Sequence, residues 1–119
     1  MAGDELFIGW GQVVRGRELK ALQVFQETIE FHGKLQEEGK IDGFDAHLIA
    51  PHGGDLAGFI MLHGERDKLD DVRNSDAFER LIARAGTIVD RIGVLDAYSE
   101  DALGQAMGRF QAASEELAG

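Results

Sequence analysis

Two apolar runs, IDGFDAHLIA and LAGFIMLHG, are joined by Pro51, His52, Gly53, Gly54 and Asp55, and this stretch from Lys40 to Glu65 limits the fold more than any other. Proline fixes φ and the glycine pair can take positive φ, so the chain turns back here as an antiparallel hairpin with a loop longer than two residues. The hairpin is the centre of the fold.

On its N-terminal side, ELFIGWGQVV from Glu5 to Val14 is rich in aromatic and β-branched residues without a helical period, which predicts a strand ended by Gly16. From Arg17 to Glu38 the period becomes helical. One apolar stripe runs through Leu22, Phe25 and Ile29 and a second through Val24, Phe31 and Leu35, leaving Lys20, Gln23, Glu27, Glu30 and Lys34 a narrow polar face. So wide an apolar arc implies two neighbours, and Gly39 is placed to end the helix. Beyond the hairpin, Asp67 is expected to cap a short turn through Val72. Ser75 or Asn74 then opens the helix SDAFERLIARA, with Phe78, Leu81, Ile82 and Ala85 on one face. Gly86 closes it, and TIVDRIGVLDAY from Thr87 to Tyr98 reads as a fourth strand. Ser99, followed by Glu100 and Asp101, starts a last helix of about 99–117 with a stripe of Leu103, Ala106, Met107, Phe110, Ala113 and Leu117. Gly104 and Gly108 each weaken it by roughly 0.5–1 kcal/mol, so it is expected to depend on docking.

The order β-α-β-β-α-β with a trailing helix is two split βαβ units. Right-handed crossovers put the first two helices on one face of a four-stranded antiparallel sheet ordered fourth, first, third, second: an α+β, ferredoxin-like fold occupying residues 1–119 as a single domain, with its core in 5–98. Both sheet faces are apolar. The first strand offers Leu6, Ile8 and Trp10 on one side and Phe7 and Val13 on the other. In the third, Ile60 and Leu62 oppose Phe59 and Met61; in the fourth, Ile92 and Val94 oppose Val89 and Leu95. Two helices cover one face only, and leaving the other wet would forfeit several kcal/mol at about 25 cal/mol per Å². The last helix or, preferably, a second copy in a C2 homodimer must cover it.

Composition narrows the function classes. A net charge of -10, with the bases scattered among acids, argues against a nucleic-acid partner. The absence of cysteine excludes disulfides, thiolate metal sites and a cysteine nucleophile. No apolar run approaches the roughly 20 residues of a membrane span, and the acidic start is unlike a signal peptide, so no membrane partner and a cytoplasmic location are expected.

With the element order, the Gly16-Arg17-Glu18 lead into the first helix, the Gly39-Lys40-Ile41 lead into the second strand and the Ser75-Asp76-Ala77-Phe78 helix start, the chain resembles the dimeric α+β barrel superfamily over roughly Glu5 to Tyr98. That superfamily includes antibiotic-biosynthesis-type monooxygenases, muconolactone isomerase-like enzymes and stress-responsive barrel proteins. The resemblance implies the fold and the dimer.

Four residues are candidates for ligand binding. If the hairpin register is even, Asp45, His47 and Ile49 share a face with Phe59, Met61 and His63. Asp45 then sits near His63, and the two imidazoles with the carboxylate could form an acid–base set or a weak divalent-metal site; the alternative is a rim position. Arg91, read within the fourth strand, could hold an anionic ligand or pair with an acid across an interface. Trp10, with Gln12, could wall a pocket for a flat organic molecule or be plain core. His32 borders the apolar arc, where packing is the expected role; His52 and Asp55 are expected to be solvated. No cofactor or metal motif is present, the Gly53–Gly54 pair reads as a turn, and the catalytic set is unknown. The expected function is a homodimer binding a small apolar or aromatic molecule. The alternatives are a cofactor-independent monooxygenase or isomerase of small aromatic compounds, with His47 or His63 as base, and a non-catalytic structural or assembly protein.

Overall fold

The computed structural model describes residues 3–118. In chain order its elements are β1 (Asp4–Trp10), α1 (Glu18–Glu37), β2 (Gly43–Leu48), β3 (Gly58–His63), α2 (Arg66–Arg73), α3 (Asp76–Ala85), β4 (Gly93–Tyr98) and α4 (Glu100–Ala118). The strands form one sheet in the order β2-β3-β1-β4, every pair antiparallel. This is the ferredoxin-like arrangement with a C-terminal helix, and the strand order is the one read from the sequence. Where a short turn was expected, α2 is a helix of its own, preceded by Glu65 as N-cap with Asp67 inside its first turn. Ser75 caps α3, its hydroxyl oxygen accepting from the Phe78 N–H at 3.2 Å.

The period of two along each strand sorts the side chains. Leu6 pairs with Leu62 and Ile8 with Ile60, and these four are at most 2 % exposed beneath the helices. Around Leu62 the space is filled by large groups: Phe78 from α3, Leu35 from α1, and Leu69 and Val72 from α2. Toward Trp10 the groups are smaller, with Ala21 and Val24 of α1 packing near Ala85, Ile88, Val89 and Ile92. The buried line of α1 is Ala21, Val24, His32 and Leu35. The stripe expected to lead, Leu22, Phe25 and Ile29, lies to its side, with Leu22 56 % exposed. Small side chains let a helix approach a sheet closely, so the larger residues fall on its flanks. Past Glu37 the chain leaves the helix through Gly39 at φ 74°, the Gly39 N–H donating to the Gln36 carbonyl and the Lys40 N–H to that of Leu35. This is a Schellman ending, which glycine accommodates without a Cβ penalty.

Two strands are shorter than the sequence suggested. β1 ends at Trp10, and beyond it Gly11 and Gln12 both face Asp90, the Gly11 N–H donating to the Asp90 carbonyl at 2.7 Å and the Asp90 N–H to the Gln12 carbonyl at 2.9 Å. A Cβ at Gly11 would lie 2.9 Å from the Asp90 oxygen and 3.1 Å from the Asp55 carbonyl oxygen, so this close approach requires glycine. Val13 rejoins Val89 in an isolated bridge. On the other chain segment, Arg91 has φ 56° and lies outside β4, dividing Thr87–Tyr98 into a bridge and a strand. This left-handed residue resets the alternation. Val89 therefore packs with Ile92 beneath the helices, where opposite faces were expected.

On the far side of the sheet, Phe7, Phe59 and Met61 remain partly exposed and Leu95 is 60 % exposed. Phe7 stacks on Phe59 with centroids 5.4 Å apart. α4 does not cover this face. Ala102 is its buried residue, while Leu103, Met107, Phe110 and Leu117 are exposed, so the docking expected of its apolar stripe does not occur within the protomer. The Ser99 hydroxyl, expected to cap α4, is directed to the Gly3 carbonyl at 3.4 Å.

A left-handed backbone costs a residue with a Cβ about 1–2 kcal/mol. Arg91→Gly is therefore expected to keep or raise stability, by up to about 1 kcal/mol after the entropy lost in the unfolded chain. Arg91→Val is expected to lower it by about 1 kcal/mol or more, both read as shifts in the urea unfolding midpoint.

Candidate functional site

Because the side chains shrink toward Trp10, sheet and helices do not close there. They enclose a cavity of about 260 Å³. Its floor is Ile8, Trp10 and Ile60; its walls include Ala21, Val24 and Phe25 from α1 and Leu81, Ile82 and Ala85 from α3. Leu22, Leu48 and Glu18, all exposed, mark its mouth. An apolar hole of ~150 Å³ holds a benzene ring and drug-sized pockets begin near ~300 Å³, so this one suits a molecule of one ring or a compact pair.

Few polar groups reach it. The Thr28 hydroxyl donates to the Val24 carbonyl at 2.8 Å and so has spent its proton. His32 lies at the inner end, 0 % exposed, with Nδ1 2.8 Å from the Thr28 carbonyl oxygen. A carbonyl can only accept, so Nδ1 carries the hydrogen and Nε2 of the neutral ring is a bare acceptor. Nε2 has no hydrogen-bond partner. The ring is walled by Phe31, Phe44 and Phe78, with centroids 5.2, 5.8 and 6.2 Å away. Burial lowers the His32 pKa below its ordinary value, opposed in part by the hydrogen bond to Thr28. Among the described residues no lysine or arginine lines the cavity, and Glu18 is its one acid.

Of the four residues proposed from the sequence, Trp10 forms part of this cavity, its ring meeting Phe25 edge-on at 6.0 Å. The others lie elsewhere. His47 is on the far face of the sheet, stacked on Phe59 at 4.7 Å. His63 is at the end of the same face, Nε2 2.6 Å from Asp45 Oδ2 and Nδ1 2.9 Å from Glu5 Oε2. The even register and the Asp45–His63 contact are thus as expected, while pairing of His47 with Phe59 and of Asp45 with Met61 keeps the two imidazoles apart. Arg91 is not on a sheet face. It is 70 % exposed in the turn before β4 and pairs with Asp55 of the hairpin loop of its own chain. Asp55 and His52 are exposed as expected, with His52 holding the Leu56 carbonyl through Nε2 at 2.8 Å. His32 was read as packing, and its place in the cavity was missed. The signal was available: Ala21, Val24, Thr28, His32 and Leu35 follow the helical spacing of a single face.

No family model matches the chain, and no curated protein does. Solved structures share its fold. A dimeric protein of unknown function with a ferredoxin-like fold from Bacteroides fragilis superposes with a TM-score of 0.59 at 11% identity, covering 82% of this chain and 97% of its own. A conserved protein from Methanosarcina mazei gives 0.62 at 14% identity, covering 83% and 95%. SnoaB, a cofactor-independent oxygenase from Streptomyces nogalater, gives 0.55 at 16% identity, covering 83% and 97%. At these identities the likeness defines the class as ferredoxin-like α+β and carries the comparison no further.

A histidine buried neutral binds its proton more readily in the unfolded chain. Its contribution to stability is complete above the unfolded pKa near ~6.5 and falls as pH drops from there toward the lower folded value, by up to about 1.4 kcal/mol per pH unit. Urea midpoints measured between pH 7.5 and 5.5 are expected to show this decline in the wild type and a shallower one in His32→Phe.

Proposed function

We propose that the protein is a homodimer that binds a small, largely apolar organic molecule in the cavity between its sheet and helices. The cavity carries the reading: about 260 Å³ of preformed space with apolar walls, Trp10 as a flat surface and few polar side chains around it. Small-molecule sites have this character, a mostly apolar hollow with few convergent polar groups. Support for the dimer comes from the far face of the sheet, where Phe7, Phe59 and Met61 stay partly exposed and Leu95 is 60 % exposed, and from a neighbour of the same fold described as dimeric. In that dimer His47 and His63 belong to the seam between copies, Trp10 to the cavity, and Arg91 to the surface near its mouth.

A second reading, a cofactor-independent monooxygenase or isomerase of a small aromatic compound, is favoured by the neutral imidazole. His32, one of the residues that line the cavity, holds a neutral imidazole whose Nε2 carries no proton, the form a general base takes. A neighbour with this fold is a cofactor-independent oxygenase. Oxygen uptake or isomer formation with a phenolic compound, lost in His32→Gln while binding persists, separates catalysis from binding.

The chain has a single tryptophan, so its emission reports on the cavity alone. Titration with toluene or p-cresol is expected to change Trp10 fluorescence saturably, and Ala85→Phe, which fills the space, to abolish the change. Light scattering at micromolar concentration is expected to give twice the protomer mass, reduced to one protomer by Phe59→Lys. A stable wild-type monomer would remove the dimer from the reading, and an unresponsive Trp10 would remove the ligand.

A further inference from the structure

We infer that the cleft between the first half of α1 and the segment following α3 is a second binding site, one that takes a small dianion of the phosphate kind. The site stands apart from the apolar cavity and does not depend on a ligand binding there.

Along α1, Arg17, Lys20, Gln23 and Val24 recur at helical spacing and form one wall of a hollow of about 300 Å³; Arg84, Thr87 and Ile88 form the other. Val24 and Ile88, 7 % and 4 % exposed, also belong to the lining of the apolar cavity, so the two hollows share a wall.

Three bases meet in this cleft, and their partners set them apart from the others. Lys40, Arg66, Arg73, Arg80 and Arg91 each meet an acid. Among the described residues Arg17 and Lys20 form no ion pair, and no acid lines the cleft. Arg84 binds Glu27 through Nη2 alone, at 2.8 and 3.1 Å from the two carboxylate oxygens, which leaves its Nε and Nη1 hydrogens unspent among the described residues. Thr87 donates its hydroxyl proton to the Arg84 carbonyl at 2.7 Å, so the donors left to the cleft are those of the three bases and the Gln23 amide. A chain of net charge -10 has acids in excess to neutralise such a group, yet none is placed there. Bases gathered without a counter-charge repel one another, and an anion between them removes that cost.

The donors also select among anions. A guanidinium fork matches two oxygens of a phosphate, and an ammonium from another direction can take a third. A carboxylate, with one charge and two oxygens, engages fewer of them. A nucleic acid needs a run of such contacts along its backbone and meets an acidic molecule beyond the cleft.

Inorganic phosphate, titrated into the full chain at pH 7.5 and constant ionic strength, is expected to move the amide resonances of Lys20, Gln23, Thr87 and Ile88 saturably, with a Kd of about 1 mM or tighter. Acetate is expected to bind at least about tenfold more weakly, read by the same resonances and by calorimetry. Arg17→Gln combined with Lys20→Gln is expected to weaken phosphate binding by about tenfold or more, whereas Lys34→Gln, an exposed base further along the same helix, leaves it unchanged. Both altered positions of the double variant are exposed, so the fold is expected to persist; should it not, the phosphate–acetate comparison and Lys34→Gln still decide. Shifts that grow without saturating, equal binding of acetate, or an equal loss in Lys34→Gln would overturn the inference and leave the reading of the apolar cavity as it stands.

Discussion

Everything in this structure follows from a sheet that is apolar on both faces being covered on one. Under α1, α2 and α3 the side chains of Leu6, Ile8, Ile60 and Leu62 are withdrawn from water almost completely. On the reverse, Phe7, Phe59 and Met61 are withdrawn only in part. At about 25 cal/mol per Å² the difference between these faces is worth several kcal/mol, a sizeable share of the stability of a domain this small. The helices that supply the cover are also unequal along their length. Around Phe78, Leu69 and Leu35 they fill the space, whereas Ala21, Val24 and Ala85 stop short of Trp10. The cavity is thus a consequence of side-chain size along two helices, with no loop or lid required to build it. Engineered cavities in apolar cores cost about 24 cal/mol for each Å³, so even a partly open hollow of this size carries a penalty that an occupant would offset.

Much of this was legible because alternation in strands is a local code. The face of each residue in β1 and β3, the strand order and the hairpin register follow from a period of two and from right-handed crossovers, which leave few alternatives. What alternation could not report is where the backbone changes direction. Gly11, in close contact with Asp90, lies beside the left-handed turn at Arg91, and neither residue type announces the change. Arginine is an uncommon occupant of positive φ, so the segment from Thr87 to Tyr98 reads as one strand until its neighbours are known. The displacement of Arg91 from the sheet to the surface follows from that one dihedral angle.

The reading of α1 failed for a different reason. Its apolar arc is wide, and weighting it by size put Leu22, Phe25 and Ile29 at the centre. The residues of α1 turned inward are instead Ala21, Val24, His32 and Leu35, with Ala21, Val24 and Thr28 on the cavity wall. His32 continues that line and is buried beyond the reach of water, while the leucine three residues before Phe25 stands mostly in solvent. A polar residue among small ones at helical spacing is therefore a better guide to a pocket than a large apolar residue, because the pocket exists where the large residues are not.

The histidines show how position decides chemistry for one residue type. His63 lies between Glu5 and Asp45 at the rim of the open face, each ring nitrogen against a carboxylate. Its contribution is to fasten β1, β2 and β3 together at one end of the sheet. His47 presents a ring face to Phe59 and serves as apolar surface with a wet edge. His32 differs from both: one nitrogen is committed to its own helix, the other faces no partner, and its surroundings are aromatic. Desolvation favours the neutral form of that ring, whose Nε2 then carries no proton. A protein that needed only packing at this point would gain by a leucine or phenylalanine, since an unpaired buried nitrogen costs about 1–3 kcal/mol and contributes nothing to the core.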